Sequence, residues 1–264
     1  MILFWERGRH YEKTIIISSL VLAISLGVGC SNEKTTKTDE PKKEAMQKEK
    51  ELEAKDVFKK TNEAFKNEEN VTMTYDVGLK AEGTEMDILK AKMQLEPKTK
   101  NSRSEMNISG TDVVVYTVDG KVAGEVKNPN TGEVITVPEE QLNAGGMKAT
   151  QDIIDNLEVP AVVLDKMKME KSGDKYKLKF TLKGQETESM LTSMDETQKK
   201  MLQAQNAKIE EVDAEYIITK DFKYESAKID MIMSSNGKDK AHIITNAKYT
   251  SYEKFDPIQL PAAK

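Results

Sequence analysis

The chain has 264 residues with 40 Lys and Arg against 45 Asp and Glu, a net charge of −5, and so lacks the basic excess that a nucleic-acid partner demands. Its 2 histidines and 1 cysteine leave no material for His-rich or Cys-rich zinc sites, a Cys-His dyad or a disulfide; packing alone must hold the domain. Beyond residue 29 about 235 residues remain, enough for one large domain or two small ones.

Arg7, Arg9 and Lys13 precede an almost uninterrupted apolar run from Ile15 to Val28, which closes in Gly29 and Cys30 and turns at once to Ser31, Asn32, Glu33 and Lys34. Basic, then apolar, then small is the layout of an export signal. As a helix the run reaches roughly 21 Å, short of the roughly 30 Å hydrocarbon core that a permanent span must cross. Phe4 and Trp5, ahead of the basic residues, are bulky for such a leader and suit a start further in. Cys30 is the sole cysteine, and after an ordinary cleaved signal it would be an unpaired thiol in an exported protein.

The segment TIIISSLVLAISLGVGC resembles the lipobox of bacterial lipoproteins, with Gly27 where that motif usually has leucine and Leu26 one place further off. The resemblance implies that residues 1–29 are a lipoprotein signal peptide and that Cys30, lipidated with a diacylglyceryl group, becomes the first residue. The expected location is the extracellular face of the cell membrane. Residues 30–50 hold charge, Thr and Pro41 but little apolar surface to offset ordering entropy, and read as a disordered tether spanning about 25 Å.

Residues 51–264 form the expected domain. Leu52, Val57, Phe58, Thr61, Ala64 and Phe65 recur at three- and four-residue steps and predict an amphipathic helix, ended near Asn67 and Asn70. The period then drops to two. Val71, Met73, Tyr75, Val77 and Leu79 predict a half-buried strand, Gly83 a turn, and Leu89, Ala91, Met93 and Leu95 a second strand closed by Pro97. From Lys100 to Ser109 the alternation is less clean, with Ser102, Ser104, Met106 and Ile108 against Arg103, Glu105 and Asn107. Asp119-Gly120 predicts a tight hairpin between Asp112–Val118 and Lys121–Lys127. A turn over Asn128 to Gly132 precedes a strand from Glu133 to Val137.

Between Gln141 and Met167 the pattern predicts one kinked helix or two short ones, interrupted at Pro160. Strands follow over Lys168–Lys171 and Lys175–Lys183, then a helix over Glu186–Asn206, then three long strands over Val212–Lys220, Tyr224–Met233 and Lys238–Lys254. The closing FDPIQLP is expected to be extended.

About ten one-sided strands imply an antiparallel sheet with one wet face, whose other face the two helical inserts must cover. The expected fold is α+β: a curved antiparallel sheet, or half-barrel, with helices on its concave face. This order of elements resembles the LolA, LprG and LppX lipoprotein superfamily, and the lipobox with it resembles surface lipoproteins of Gram-positive bacteria. The resemblance implies a cavity that holds lipid acyl chains. Candidate ligand contacts are the inward methionines Met73, Met93, Met106, Met190, Met194, Met201, Met231 and Met233, whose flexible side chains suit a varied apolar ligand; filling of an ordinary core is the competing reading.

Other constellations point to solvated surface: Glu139-Glu140, Glu210-Glu211, the outward lysines of Lys175–Lys183, and His242, opposite in parity to Ala241 and Ile243. No phosphate loop, HExxH or GxSxG is present. The expected protein is a monomeric, non-enzymatic binding protein without cofactor, catalytic residues or metal, anchored to the membrane through Cys30 and holding a lipid or other apolar ligand. The alternative is an interaction or structural lipoprotein that binds a protein or cell-wall partner through its sheet.

Overall fold

The computed structural model describes residues 52–81, 83–108, 111–128, 131–137, 142, 159–188, 199, 202–203, 206–235 and 239–261. The export signal, Cys30 and the tether lie outside them, as do Glu139, Glu140 and much of both helical inserts.

Helix α1 (Ala54–Asn67) forms where the sequence predicts it. It contains no Gly or Pro, the Asp56 carboxylate accepts the N–H of Glu53 at 3.3 Å, and Val57, Phe58, Thr61 and Phe65 make one buried face. The chain then winds through β1 (Val71–Ala81), β2 (Thr84–Glu96), β3 (Asn101–Ile108), β4 (Thr111–Val118), β5 (Lys121–Lys127) and β6 (Val134–Val137). The β4–β5 turn has φ of 50° at Asp119 and 75° at Gly120, the two left-handed positions of a type I′ hairpin. Pro160 starts a helix rather than kinking one: α2 (Ala161–Lys166) begins directly after it. Five strands complete the chain, β7 (Lys168–Ser172), β8 (Lys175–Lys183), β9 (Ala207–Thr219), β10 (Tyr224–Ser235) and β11 (Asp239–Ser251).

All eleven strands join one open, curved antiparallel sheet in the order β6-β5-β4-β3-β2-β1-β11-β10-β9-β8-β7. The first six strands meander outward from the middle to one edge, and the last five start at the opposite edge and meander inward, so β1 and β11 meet in the middle. Alternate residues point to a buried inner face, where Tyr75 stands opposite both Ala91 and Ala247, and Met73 opposite both Met93 and Tyr249. Two strands start earlier than their alternation suggests, β2 at Thr84 and β9 at Ala207, and both contain a bulge. In β2, Ile88 is extra between pairs Gly78 with Asp87 and Val77 with Leu89; in β9, Glu210 is extra between pairs Ile232 with Glu211 and Met233 with Ile209. The extra residue breaks the period of two.

The two sheet edges differ in chemistry. Edge strand β7, KMEKS, carries charge at three of its five positions, which discourages pairing with another chain. Edge strand β6, VITV, carries none, and Val134 and Ile135 are exposed.

Candidate functional site

The inner face of the sheet divides into two halves of different chemistry. Over β8 to β11 it is aromatic. Phe58 of α1 meets Tyr216 edge-on with centroids 5.5 Å apart, Phe65 meets Tyr224 and Tyr249 edge-on at 6.0 Å each, and Tyr224 stacks on Tyr249 at 5.2 Å. Two of its hydroxyls are matched: that of Tyr224 donates to Asn62 Oδ1, and that of Tyr252 donates to the Tyr224 carbonyl at 2.7 Å. Burial pushes the phenol of Tyr216 up to about 12 and raises those of Tyr224 and Tyr249 well above their ordinary value, because an ionised ring there would be stripped of water. This half is a packed aromatic core.

Across β2 to β5 the inner face is built otherwise. Cross-strand register places Leu95, Ser102, Thr117 and Val122 in one row, Met93, Ser104, Val115 and Gly124 in the next, and Ala91, Met106, Val113 and Val126 in a third. None of these residues is aromatic and none is charged. Gly124 allows close approach: a Cβ there would lie 2.9 Å from both methyls of Leu142, so the leucine rests directly on the β5 backbone.

Within this half, Ser102, Ser104 and Thr117 are buried at 1%, 4% and 1% exposure, and none of their hydroxyls has a hydrogen-bond partner. Buried hydroxyls nearly always find one. Ser102 and Thr117 are directly opposite across the β3–β4 ladder, and Ser104 is two residues along on the same face. The uneven alternation of β3 placed both serines inward, but a strand pattern carries no sign of whether a hydroxyl finds a partner.

Of the methionines expected to line a ligand site, Met73, Met93, Met106, Met231 and Met233 are all buried on the inner face. They do not form one patch. Met93 and Met106 sit in the aromatic-free half, Met73 lies between the halves on β1, and Met231 and Met233 lie on β10. Met190, Met194 and Met201 lie outside the described residues.

The outer face is solvated and paired. Lys175 bonds Glu225 at 2.7 Å, Lys177 bonds Glu215 at 2.8 Å and Lys183 bonds Glu211 at 2.7 Å, each at the surface. Glu210 and Glu211 take different partners, since Lys240 lies 2.7 Å from Glu210, and that ammonium holds the Glu210 carboxyl below its ordinary range. His242 lies 3.3 Å from Asp230 on the same face. Among the described residues, open grooves outside the inner face include one of about 860 Å³ between the C-terminal segment and Gln94 with Arg103, and one of about 610 Å³ among Asp76, Lys90, Lys92, Glu105 and Asp112. Among the described residues no group of His, Cys, Asp and Glu could hold a metal ion, and no helix is long and apolar enough to cross a membrane.

Comparison with solved structures finds LprF from Mycobacterium bovis, at 11% identity and a TM-score of 0.37 over 80% of this chain and 97% of that one. It also finds a DUF1329 family protein from Desulfovibrio piger, at 11% identity and a TM-score of 0.29 over 74% and 91% of the two chains. A LolA superfamily protein from Nitrosomonas europaea follows at 11% identity and a TM-score of 0.26 over 76% and 94%. No curated protein matches the chain. A family match spans residues 53–263, and the chain belongs to that family of unknown function, DUF6612.

Proposed function

We propose that this protein is a lipid-anchored, extracytoplasmic binding protein that holds an apolar, lipid-like ligand against the inner face of its half-barrel. The observation that carries this reading is the β2–β5 half of that face: broad, free of aromatic and charged residues, and containing the adaptable side chains of Met93 and Met106. The aromatic half clamps α1, whereas this half offers small and flexible side chains to whatever lies on it. The role is non-catalytic. The anchor rests on the sequence, where Cys30 follows an apolar run too short to remain as a span, and two acyl chains on one cysteine suffice for stable attachment. The host membrane is that of a Gram-positive bacterium, with the domain on its outer side.

The test is mass spectrometry of solvent extracts and of the intact protein purified from its host. A co-purifying apolar molecule at near one-to-one stoichiometry is expected; protein that carries none and takes up none after mixing with host lipid extract overturns the reading. In the same host, Cys30→Ala should move the protein from the membrane fraction to the medium or stall its maturation. Retention at wild-type size and location would dismiss the anchor.

One observation favours a second reading, that of an interaction platform. Edge strand β6 leaves Val134 and Ile135 exposed and carries no charge of its own, which suits the addition of a partner's strand. Crosslinking in intact cells that captures one stoichiometric protein partner through β6, with no bound lipid, would replace the first reading with this one.

A further inference from the structure

We infer that the β3–β4 part of the inner face is the polar end of the ligand site, where Ser102, Ser104 and Thr117 hydrogen-bond an uncharged hydroxyl or ester group of an amphipathic ligand. This inference rests on the binding reading above and adds the chemical class of the ligand. Each of the three hydroxyls is buried and without a partner. They cannot turn to the strand backbone without competing with the ladder, since β3 pairs with β2 and β4, and β4 with β3 and β5. A hydroxyl offers one donor and two acceptor sites, so the cluster can serve a ligand hydroxyl and a ligand carbonyl alike.

The charge of the ligand group follows from the surroundings. The inward residues of β2 to β5 include no lysine, arginine or acid, so a carboxylate or phosphate placed there would be desolvated without a counter-ion. An uncharged group avoids that cost and still satisfies the hydroxyls. From the cluster, Met93, in the same row as Ser104, and Met106, in the adjacent row, continue the face in apolar form. The polar group therefore sits at β3–β4 and the hydrocarbon runs toward β2 and β1.

The experiment uses the full chain, stripped of bound lipid, and three probes with the same eighteen-carbon, singly unsaturated chain class: 1-monooleoylglycerol, oleate and 1-octadecene. Affinities are read by native mass spectrometry and by competition with a fluorescent fatty-acid ester. Wild type should prefer the monoglyceride over both others. The triple variant S102A/S104A/T117V should lose about tenfold or more for the monoglyceride, since each hydrogen bond accounts for a few-fold, and should keep its affinity for 1-octadecene. In lipid-free form the variant should melt at or above the wild-type temperature, because it removes unpartnered buried hydroxyls and keeps the shape.

Equal binding of the monoglyceride by variant and wild type would overturn the inference while leaving the binding reading intact, as water or nothing would then occupy the cluster. Tightest binding of oleate would overturn the uncharged class. A lipid-free variant that melts well below wild type would assign the hydroxyls to the fold itself and overturn the site. Failure of all three probes to bind wild type would end both readings together.

Discussion

Asn62 and Tyr224 are 162 positions apart in the chain and meet in the aromatic core, the phenol donating to the amide oxygen beneath α1. Tyr224→Phe keeps the ring contacts with Phe65 and Tyr249 and removes only that donor, which should cost about 1 to 3 kcal/mol at pH 8. The pH dependence identifies the cause. Burial raises the phenols of Tyr216, Tyr224 and Tyr249, with Tyr216 at about 12, whereas an unfolded tyrosine ionises near 10. Below pH 10 both states hold the proton and the stabilisation is complete. As the pH rises from 10 through 12 the unfolded chain releases protons first and stability falls. Tyr224→Phe takes one such group away, so its deficit against wild type should narrow between pH 9 and pH 11 in urea titrations. A constant deficit would mean that the hydroxyl is hydrated. Inward parity of Tyr249 was readable from the alternation of its strand, whereas Tyr224 stands across a bulge at Glu225, out of step with the inward Ala227, Ile229 and Met231. The pairing of both with α1 was not readable, because a strand pattern names a face and not the residue across from it.

Helix α1 is the best-written element in the sequence, and its consequence is energetic as well as geometric. Phe65 is 5% exposed and its ring meets both Tyr224 and Tyr249, so Phe65→Ala opens a cavity between helix and sheet. The expected loss is about 3 to 5 kcal/mol, against less than about 0.5 kcal/mol for Lys59→Ala on the exposed side of the same helix. Equal urea midpoints for the two variants would remove α1 from the core. The strands were legible for the same reason as the helix, since period two survives wherever the ladder is regular. It fails at the bulges: Ile88 and Leu89 are both buried, and so are Ile209 and Val212 three places apart, which hid the first turns of β2 and β9. The candidate site was legible only in part. Inward methionines on regular strands could be placed, but the split between an aromatic half and a small-residue half is set by which strands lie side by side, and β1 against β11 is a pairing of the two ends of the domain.

That long-range closure gives one carboxylate a reach across the whole molecule. Glu96 ends β2, and its Oε2 accepts from Thr99 Oγ1 and from Asn101 Nδ2, both at 2.9 Å, while Oε1 accepts the N–H of Ile258 at 3.0 Å. Asn101 in turn accepts the N–H of Asp119 at 3.0 Å, so the β2–β3 turn, the β4–β5 hairpin and the segment after β11 all converge on it. The C-terminal segment is also held by the Phe255 N–H, which donates to Asn70 Oδ1 at 3.4 Å, and by burial of Ile258. Glu96→Ala leaves the Asn101 amide and the Ile258 N–H without their acceptor, and the Thr99 hydroxyl with only its 3.3 Å bond to the Glu96 carbonyl, and should cost about 2 to 4 kcal/mol, partly relieved by water at the rim. Removal of residues 255–264 should cost about 1.5 to 3 kcal/mol through Ile258 alone. Because both changes break the same Ile258 bond, they should be less than additive by about 1 kcal/mol in a double-mutant cycle of urea midpoints, with the m-value of each variant unchanged while the sheet unfolds as one unit. Strict additivity would show that carboxylate and C-terminal segment act apart, and a reduced m-value in the truncated chain would show that the segment holds the two halves of the sheet in one cooperative fold.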